Sequence, residues 1–100
     1  MAINFNFEWD PQKATINRNA HGVGFDEGAT VVTDPLAISI FDPDHSETEE
    51  RWITMGLSEK GRLLVVVHTF RKESEDAVTI RMISTRKASK RESLTYGERP

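Results

Sequence analysis

The spacing of apolar residues divides the start of the chain into a strand and a helix. Residues 5–9, FNFEW, alternate apolar and polar side chains, as a half-buried strand does. Asp10-Pro11 then combines a helix N-cap with a proline at the first helical position, where the missing N–H costs nothing. Gly22 supplies a stop, because glycine tolerates the left-handed conformation that ends helices. We therefore predict a helix over residues 11 to about 20.

A second helix is predicted over Phe25–Val32. Phe25, Ala29 and Val32 fall on one face at i, i+4 and i+7. Gly24 is its N-cap, and Asp34-Pro35 ends it, because the residue before a proline disfavours helical dihedrals.

Four segments rich in Val, Ile, Thr and aromatic residues follow and predict β-strands. They are residues 36–41, 51–57, 63–71 and 78–85. The connections within this part are too short for parallel crossovers, so we predict an antiparallel sheet of about four strands. The segment RKASKRESLTY predicts a short basic C-terminal helix, with residues 97–100 frayed. The expected fold is α+β, with the two N-terminal helices on one face of the sheet.

Length and composition narrow the class of protein. One hundred residues bury one core, so we expect a single domain over residues 1–100. No apolar run approaches the roughly 20 residues that cross a bilayer. The start of the chain lacks a secretory pattern, so we expect a cytoplasmic protein without a membrane partner. The absence of cysteine excludes disulfides, thiolate catalysis and cysteine-based zinc sites, and we expect no cofactor.

The two parts of the chain carry opposite charge. Residues 1–59 hold 3 Lys or Arg against 11 Asp or Glu, whereas residues 60–100 hold 10 against 5. The net charge of -3 is therefore the sum of -8 on residues 1–59 and +5 on residues 60–100. A basic surface is the usual footprint of a polyphosphate partner. An ordinary solvated surface is the alternative.

Three parts of the sequence carry a family resemblance. They are FEWDPQKATINRNAHGVGFDEG near the start, HSETEERWITMG in the middle, and GRLLVVVHTFR followed by RMISTRKASKRE near the end. Together they resemble the BrnT family of type II toxins, in the family's order and over roughly residues 7–96. The most specific combination is WDP-x-K, the EER before a strand and the R-x-IS-x-RKA-x-KRE ending.

The resemblance implies a RelE-like α+β fold and a ribonuclease that halts translation. It also implies neutralisation by a BrnA-like antitoxin protein, with DNA contacted only through the antitoxin complex. The sequence departs from the family at Gly24, where a Ser or Thr usually begins a capping box with Glu27. Glycine is an acceptable N-cap, so the change costs only a few tenths of a kcal/mol.

RNA can be cut without a metal ion if its 2′-OH attacks the adjacent phosphate. The reaction needs a base at that hydroxyl, cations at the phosphorane and an acid at the leaving oxygen. Arg71, Arg81 and Arg51 are the candidate catalytic cations, because they lie near strand ends and a guanidinium group fits two phosphate oxygens. For each of them, a role as a surface residue or as a salt-bridge partner is the alternative.

Two residues are candidates for the proton carrier. His68 lies on the central predicted strand, three residues before Arg71, and histidine changes its protonation near neutral pH. A histidine within VVVHTF is often a satisfied core residue. Glu50 is the alternative base, unless it forms an ion pair that orients Arg51.

Strand register decides which of these groups share a face of the sheet. If Arg71 opposes Thr79, Arg81 joins Arg71 on one face. A slip of one residue brings Arg81 to the face of His68 instead. The sequence leaves both registers open.

Five further cations are candidate RNA contacts. The segment RKASKR places Arg86, Lys87, Lys90 and Arg91 in pairs at helical i, i+4 spacing. Like charges at that spacing repel unless an anion lies between them. An RNA backbone or an acidic antitoxin segment would supply that anion. The fifth is Lys13 on the first helix, as a supplementary phosphate contact or a surface residue.

The acidic segment DPDHSETEE, residues 42–50, offers possible ligands for a hard cation in Asp42, Asp44 and His45. Its spacing excludes an EF-hand, because Glu47 stands where glycine is required. A solvated acidic loop that repels RNA is the preferred interpretation.

The sequence thus predicts a type II toxin with metal-independent endoribonuclease activity. The alternative is a catalytically inactive protein of the same fold, which binds its antitoxin and assists repression of their shared promoter.

Overall fold

The computed structural model describes residues 3–46 and 48–98. Within them the chain forms six strands, three α-helices and a 3₁₀-helix at Pro43–His45. The strands are β1 (Asn4–Glu8), β2 (Ile38–Asp42), β3 (Arg51–Leu57), β4 (Leu63–Thr69), β5 (Arg71–Ser74) and β6 (Ala77–Lys87), and the helices are α1 (Pro11–His21), α2 (Phe25–Val32) and α3 (Lys90–Glu98). The predicted α+β class is confirmed. No helix within the described residues is long and apolar enough to cross a membrane.

The strands form one mixed sheet in the order β1-β6-β4-β3-β2, with β5 paired to β6 beyond the end of β4. The four pairs among β2 to β6 are antiparallel, as predicted. β1 instead runs parallel to β6 and aligns Glu8 with Arg81. The predicted antiparallel sheet of about four strands did not include β1, because two helices and four strands separate it from β6 and no hairpin joins them. The predicted strand over residues 63–71 is divided at Phe70 into β4 and β5.

Local signals set both ends of α1. The Asp10 carboxylate accepts a hydrogen bond from the Gln12 amide at 2.8 Å. Gly22 ends the helix with a φ of 71°, in the left-handed region. Between them, the buried Asn17 side chain donates to the Thr85 carbonyl at 2.9 Å and accepts from the Thr85 amide at 3.1 Å. These two bonds fix α1 against β6.

The core lies between the two N-terminal helices and one face of the sheet, here termed the covered face. Its centre consists of eight buried apolar side chains: Val23, Phe25, Val31, Leu64, Val66, Val78, Ile80 and Met82. Gly28 of α2 approaches β6 so closely that a Cβ atom would stand 2.5 Å from Thr85 Oγ1. This approach explains a glycine inside a helix, where it costs about 1 kcal/mol relative to alanine.

Glu27 holds α2 to the turn between β3 and β4. Its side chain is buried, and its carboxylate accepts from Ser58 Oγ at 2.7 Å and from Arg62 Nε at 2.9 Å. Arg62 Nη2 pairs with the same carboxylate. These donors, above all Arg62, lower the pKa of Glu27 to about 2. Gly24 makes no side-chain cap bond, so Glu27 serves tertiary structure rather than a capping box.

α3 begins with a capping box of its own. The Ser89 amide donates to Glu92 Oε1 at 2.8 Å, and the Glu92 amide donates to Ser89 Oγ at 3.2 Å. The Arg86 guanidinium binds the same carboxylate through both terminal nitrogens, at 2.8 and 2.9 Å. Arg86 is the main cause that lowers the pKa of Glu92 to about 2. The start of α3 is therefore fixed to β6.

The boundary between β6 and α3 differs from the prediction. β6 continues to Lys87, because β4 pairs with it that far, and α3 starts only at Lys90. Arg86 and Lys87 are therefore strand residues, and their predicted helical spacing to Lys90 and Arg91 is wrong. Of the residues predicted to fray, 97 and 98 lie in α3, and 99 and 100 lie outside the described residues.

Candidate active site

Strand pairing brings the three predicted catalytic arginines to one end of the sheet. Arg51 opens β3 opposite Thr69, the last residue of β4. The Arg81 amide donates to Thr69 Oγ1 at 3.1 Å, and Arg71 opposes Thr79. This is the first of the two registers that the sequence left open. Because side chains alternate along a strand, the three arginines lie on the face opposite the core, here termed the open face.

A cleft at this end of the open face gathers charged groups from three parts of the chain. Its lining includes Lys13, His45, Glu49, Arg51 and Arg81, and it is called the Arg81 cleft below. An adjoining depression, lined by Glu8 and Trp9 among others, shares Lys13 and Arg81 with it. Three of the residues predicted from the sequence, Lys13, Arg51 and Arg81, are therefore neighbours in the fold.

Glutamate side chains hold two of the arginines in place. Arg81 donates to Glu49 Oε1 at 3.3 Å through Nη1 and to Glu8 Oε1 at 3.4 Å through Nε. Arg71 Nη1 lies 4.0 Å from Glu49 Oε2, so one carboxylate stands between two guanidinium groups. Arg71 also donates to Glu73 Oε1 at 2.6 Å, which raises the pKa of Arg71 and lowers that of Glu73. Glu49 thus marks a position where an anion already lies between the arginines.

The loop between β2 and β3 is fixed by hydrogen bonds of its own side chains. Asp42 ends β2, and its Oδ2 lies 2.8 Å from His45 Nδ1. Ser46 Oγ donates to the Asp42 carbonyl and accepts from the Arg51 amide at 2.9 Å. Most described residues of this segment are exposed, as expected of a solvated loop, and two of its side chains, His45 and Glu49, line the cleft. That the loop repels RNA stays a prediction.

His68 lies on the covered face, away from the arginines. Its side chain is buried, with Nδ1 2.9 Å from the Thr69 carbonyl and Nε2 2.7 Å from Thr54 Oγ1. Burial lowers the pKa of His68 and so favours the neutral ring. Both ring nitrogens are engaged within the sheet, which matches the core role that the sequence also allowed.

Glu50 accompanies His68 rather than the arginines. Its Oε1 accepts from Trp52 Nε1 at 3.3 Å, and it lines a largely apolar depression together with His68 and Phe70. The structure therefore brings the two predicted proton carriers together, but on the side of the sheet that the arginines do not occupy.

The basic residues near the C-terminus lie apart from the Arg81 cleft. Arg86 is five residues from Arg81 along β6, or about 16 Å at the rise of an extended strand, and its guanidinium is bound to Glu92. The other three are exposed: Lys87, Lys90 and Arg91. An RNA-binding role for these four residues stays a prediction.

Three residues of the site were not among those predicted: Glu8, His45 and Glu49. Glu8 meets Arg81 only through the parallel pairing of β1, which no local pattern indicated. His45 and Glu49 stand in HSETEER, directly before Arg51, and that proximity was the one available signal. Among the described residues, no group of three His, Cys, Asp or Glu side chains is arranged to hold a metal ion.

The fold and the Arg81 cleft define a small α+β protein with cationic side chains gathered at one end of a mixed sheet. The family model for the ribonuclease toxin BrnT of type II toxin–antitoxin systems matches residues 9–92. The chain therefore belongs to the BrnT family, in agreement with the resemblance in its sequence.

A solved structure shows the same fold. The crystal structure of the Brucella abortus ribonuclease toxin BrnT is similar to this chain with a TM-score of 0.55 and 20% sequence identity. The match covers 87% of this chain and 100% of that one. No curated protein matches the chain.

Proposed function

We propose that this chain is the toxin of a type II pair and cleaves RNA internally without a metal ion. Cleavage inhibits translation until a BrnA-like antitoxin protein neutralises the toxin. RNA is the substrate, and DNA is contacted only through the antitoxin complex. Family membership supports the class of activity, and we assign the reaction to the Arg81 cleft.

One observation carries the assignment: the Glu49 carboxylate lies between the guanidinium groups of Arg71 and Arg81. A phosphodiester likewise has two non-bridging oxygens that share one negative charge, and a guanidinium fork binds such oxygens in pairs. Arg51 and Lys13 line the same cleft and add positive charge beside the phosphorane. Cationic groups are thus available for the transition state without a bound metal ion.

The test is cleavage of single-stranded RNA by the purified protein in EDTA. Arg81→Ala is expected to lower the cleavage rate about 100-fold, as is typical when one donor to a transition-state oxyanion is removed. Arg81→Lys keeps the charge but loses the fork, and its rate is expected to be intermediate. Arg18→Ala is the matched control, because Arg18 is an exposed arginine of α1 that pairs with the exposed Asp26.

The control is expected to cleave RNA at the wild-type rate, and circular dichroism establishes that each variant is folded. Wild-type rates in Arg51→Ala, Arg71→Ala and Arg81→Ala alike would remove the reaction from this cleft.

A catalytically inactive protein that binds its antitoxin and assists promoter autorepression is the second candidate. The observation in its favour is that Arg71 and Arg81 already pair with carboxylates, which an RNA phosphate must displace. Expression of the chain alone separates the two functions. Growth arrest with fragmented RNA supports the toxin. A stable complex with the product of the neighbouring gene, without growth arrest, supports the binding protein.

A further inference from the structure

We propose that Glu49 is the general base and His45 the general acid of RNA cleavage in the Arg81 cleft. The assignment rests on the proposed ribonuclease function and supplies the two proton carriers that it requires. It differs from the pair suggested by the sequence, Glu50 and His68, which lie on the other side of the sheet.

Glu49 carries an oxygen atom that is available to accept a proton. Oε1 accepts from Arg81, whereas Oε2 is buried and has no hydrogen-bond partner among the described residues. A buried carboxylate oxygen without a donor is costly, so its presence calls for a functional explanation. Arg71 lies 4.0 Å from Oε2 and contributes charge but no hydrogen bond. A phosphate bound by Arg71 and Arg81 would displace this carboxylate from between them. Glu49 would then stand next to the phosphate, where a base for the 2′-OH is needed.

His45 has one ring nitrogen fixed and the other available to a substrate. The Asp42 carboxylate can only accept, so Nδ1 carries the hydrogen of the 2.8 Å bond between them. Nε2 is then the nitrogen that exchanges a proton. The Asp42 side chain is 17% exposed and the His45 side chain 63%. A largely buried carboxylate thus orients an accessible imidazole, an arrangement that is also used in hydrolytic triads.

One anchored loop carries both groups. At its start, Ser46 Oγ joins the Asp42 carbonyl to the Arg51 amide. At its end, the Glu50 carbonyl accepts from the Phe70 amide at 3.0 Å. Both ends of the loop are therefore bound to the sheet, which keeps the loop residues His45 and Glu49 in the lining of the Arg81 cleft.

The cleavage step balances with these two residues alone. Glu49 takes the proton of the 2′-OH while O2′ forms a bond to phosphorus, and Arg81 and Arg51 stabilise the phosphorane. The P–O5′ bond then breaks, and His45 gives its proton to the departing 5′ oxygen. The products are a 2′,3′-cyclic phosphate and a 5′-hydroxyl.

Two substrates with different leaving groups distinguish the general acid from the general base. The substrates are RNA oligonucleotides whose scissile linkage carries either the ordinary 5′ oxygen or a bridging 5′ sulfur, which leaves without protonation because thiols are far more acidic than alcohols. His45→Asn is expected to cleave the oxygen substrate at least about 100-fold more slowly and the sulfur substrate near the wild-type rate. Glu49→Gln is expected to be about 100-fold slower on both substrates.

The controls and the pH dependence add a second readout. Glu75→Gln in the turn after β5 and His21→Asn at the end of α1 change exposed residues of the same two types and are expected to behave as wild type. In a plot of log rate against pH, Glu49→Gln is expected to lose the acidic limb and His45→Asn the alkaline limb. Glu49→Asp keeps a carboxylate and is expected to retain the acidic limb.

Three outcomes overturn the assignment. Wild-type cleavage by Glu49→Gln or by His45→Asn removes that residue's role and leaves the proposed function intact. An equal loss on both substrates by folded His45→Asn removes its role as an acid. No cleavage of either substrate by the wild-type protein removes the proposed function and this assignment with it.

Discussion

His68 occupies the middle of a hydrogen-bonded chain that crosses three strands. The Thr69 carbonyl can only accept, so the ring hydrogen lies on Nδ1, and Nε2 accepts from Thr54 Oγ1 at 2.7 Å. Thr54 Oγ1 in turn lies 2.8 Å from Ser39 Oγ. Every hydrogen bond in this series can form when the His68 ring is neutral, which agrees with the lowered pKa of His68. These bonds make His68 a satisfied part of the sheet.

Burial of His68 makes the stability of the protein depend on pH. The pKa of His68 is lowered in the folded state, so below the unfolded value of about 6.5 the unfolded chain binds more protons. The contribution of His68 is complete above that value and is lost as the pH falls toward the folded-state pKa. Urea unfolding of the wild type between pH 7.5 and pH 5 is therefore expected to show declining stability, with a smaller decline in His68→Gln.

Between pH 7.5 and pH 5 the effect of His68 can be measured separately from that of the two carboxyls with strongly lowered pKa values. Glu27 and Glu92 have pKa values of about 2, so their contributions are lost only as the pH falls below about 4.5. Identical pH slopes in the wild type and in His68→Gln would contradict the prediction.

The contrast between Glu49 and Glu50 shows what single residues reveal in a sequence. Alternation predicts the direction of a side chain only inside a strand whose register is known, and the sequence left the face of Arg81 open. β3 begins only at Arg51, so no periodicity fixes the two preceding side chains. A hydrogen bond across the fold joins Glu49 to Arg81, whereas a local one joins Glu50 to Trp52. The sequence therefore predicted the cations of the cleft but not the carboxylate between them.

At the scale of elements, prediction succeeded where the signals are local. α2 and β3 have the predicted bounds, and Asp10 and Gly22 mark the ends of α1. Prediction failed where pairing is distant. The division between β4 and β5 follows from a shift of register after Val67 and from the bond of the Phe70 amide to Glu50. The parallel pairing of β1 similarly depends on contacts that no short window of sequence contains.

The ion pair between Glu27 of α2 and Arg62 of the β3–β4 turn gives a prediction at this scale. Arg62→Met is expected to lower the free energy of unfolding by about 2 kcal/mol, because it leaves the buried charge of Glu27 without its main partner. The value is below the range for a fully buried pair, because the Arg62 side chain is 37% exposed. Adding Glu27→Gln is expected to recover part of the loss, because the amide carries no charge.

Urea unfolding measures the three proteins, and Arg18→Met serves as the control. Arg18 and its partner Asp26 are both exposed, so its removal is expected to cost less than about 0.5 kcal/mol. An Arg62→Met protein as stable as the control would show that the ion pair between Arg62 and Glu27 does not stabilise the fold.

Across the whole molecule, the division of charge along the sequence does not become a division of surfaces at the cleft. The acidic part of the chain supplies Glu8 and Glu49, and these contact Arg81 from the basic part. It also supplies two of the cations, Lys13 and Arg51. The proposed attraction of RNA therefore depends on the local charges of the cleft, in a protein whose net charge is -3.

Salt dependence measures this local attraction. Each phosphate contact contributes about 0.7 to the slope of log affinity against log salt for single strands. Lys13→Gln is expected to reduce that slope by about 0.7, measured by fluorescence anisotropy with non-cleavable 2′-O-methyl RNA. Lys60→Gln is the control, because Lys60 lies before β4, at the end remote from Thr69, and its slope should match the wild type. An unchanged slope in Lys13→Gln places Lys13 outside the path of the RNA.

The parallel pairing of β1 with β6 has a consequence for how the protein is made. Glu8 and Arg81 meet in the sheet although 73 positions separate them in the chain. During synthesis β1 leaves the ribosome before β6, which is the strand it pairs with in the described sheet. Products truncated before β6 therefore lack both Arg81 and the strand that completes the Arg81 cleft, so they cannot form the proposed site.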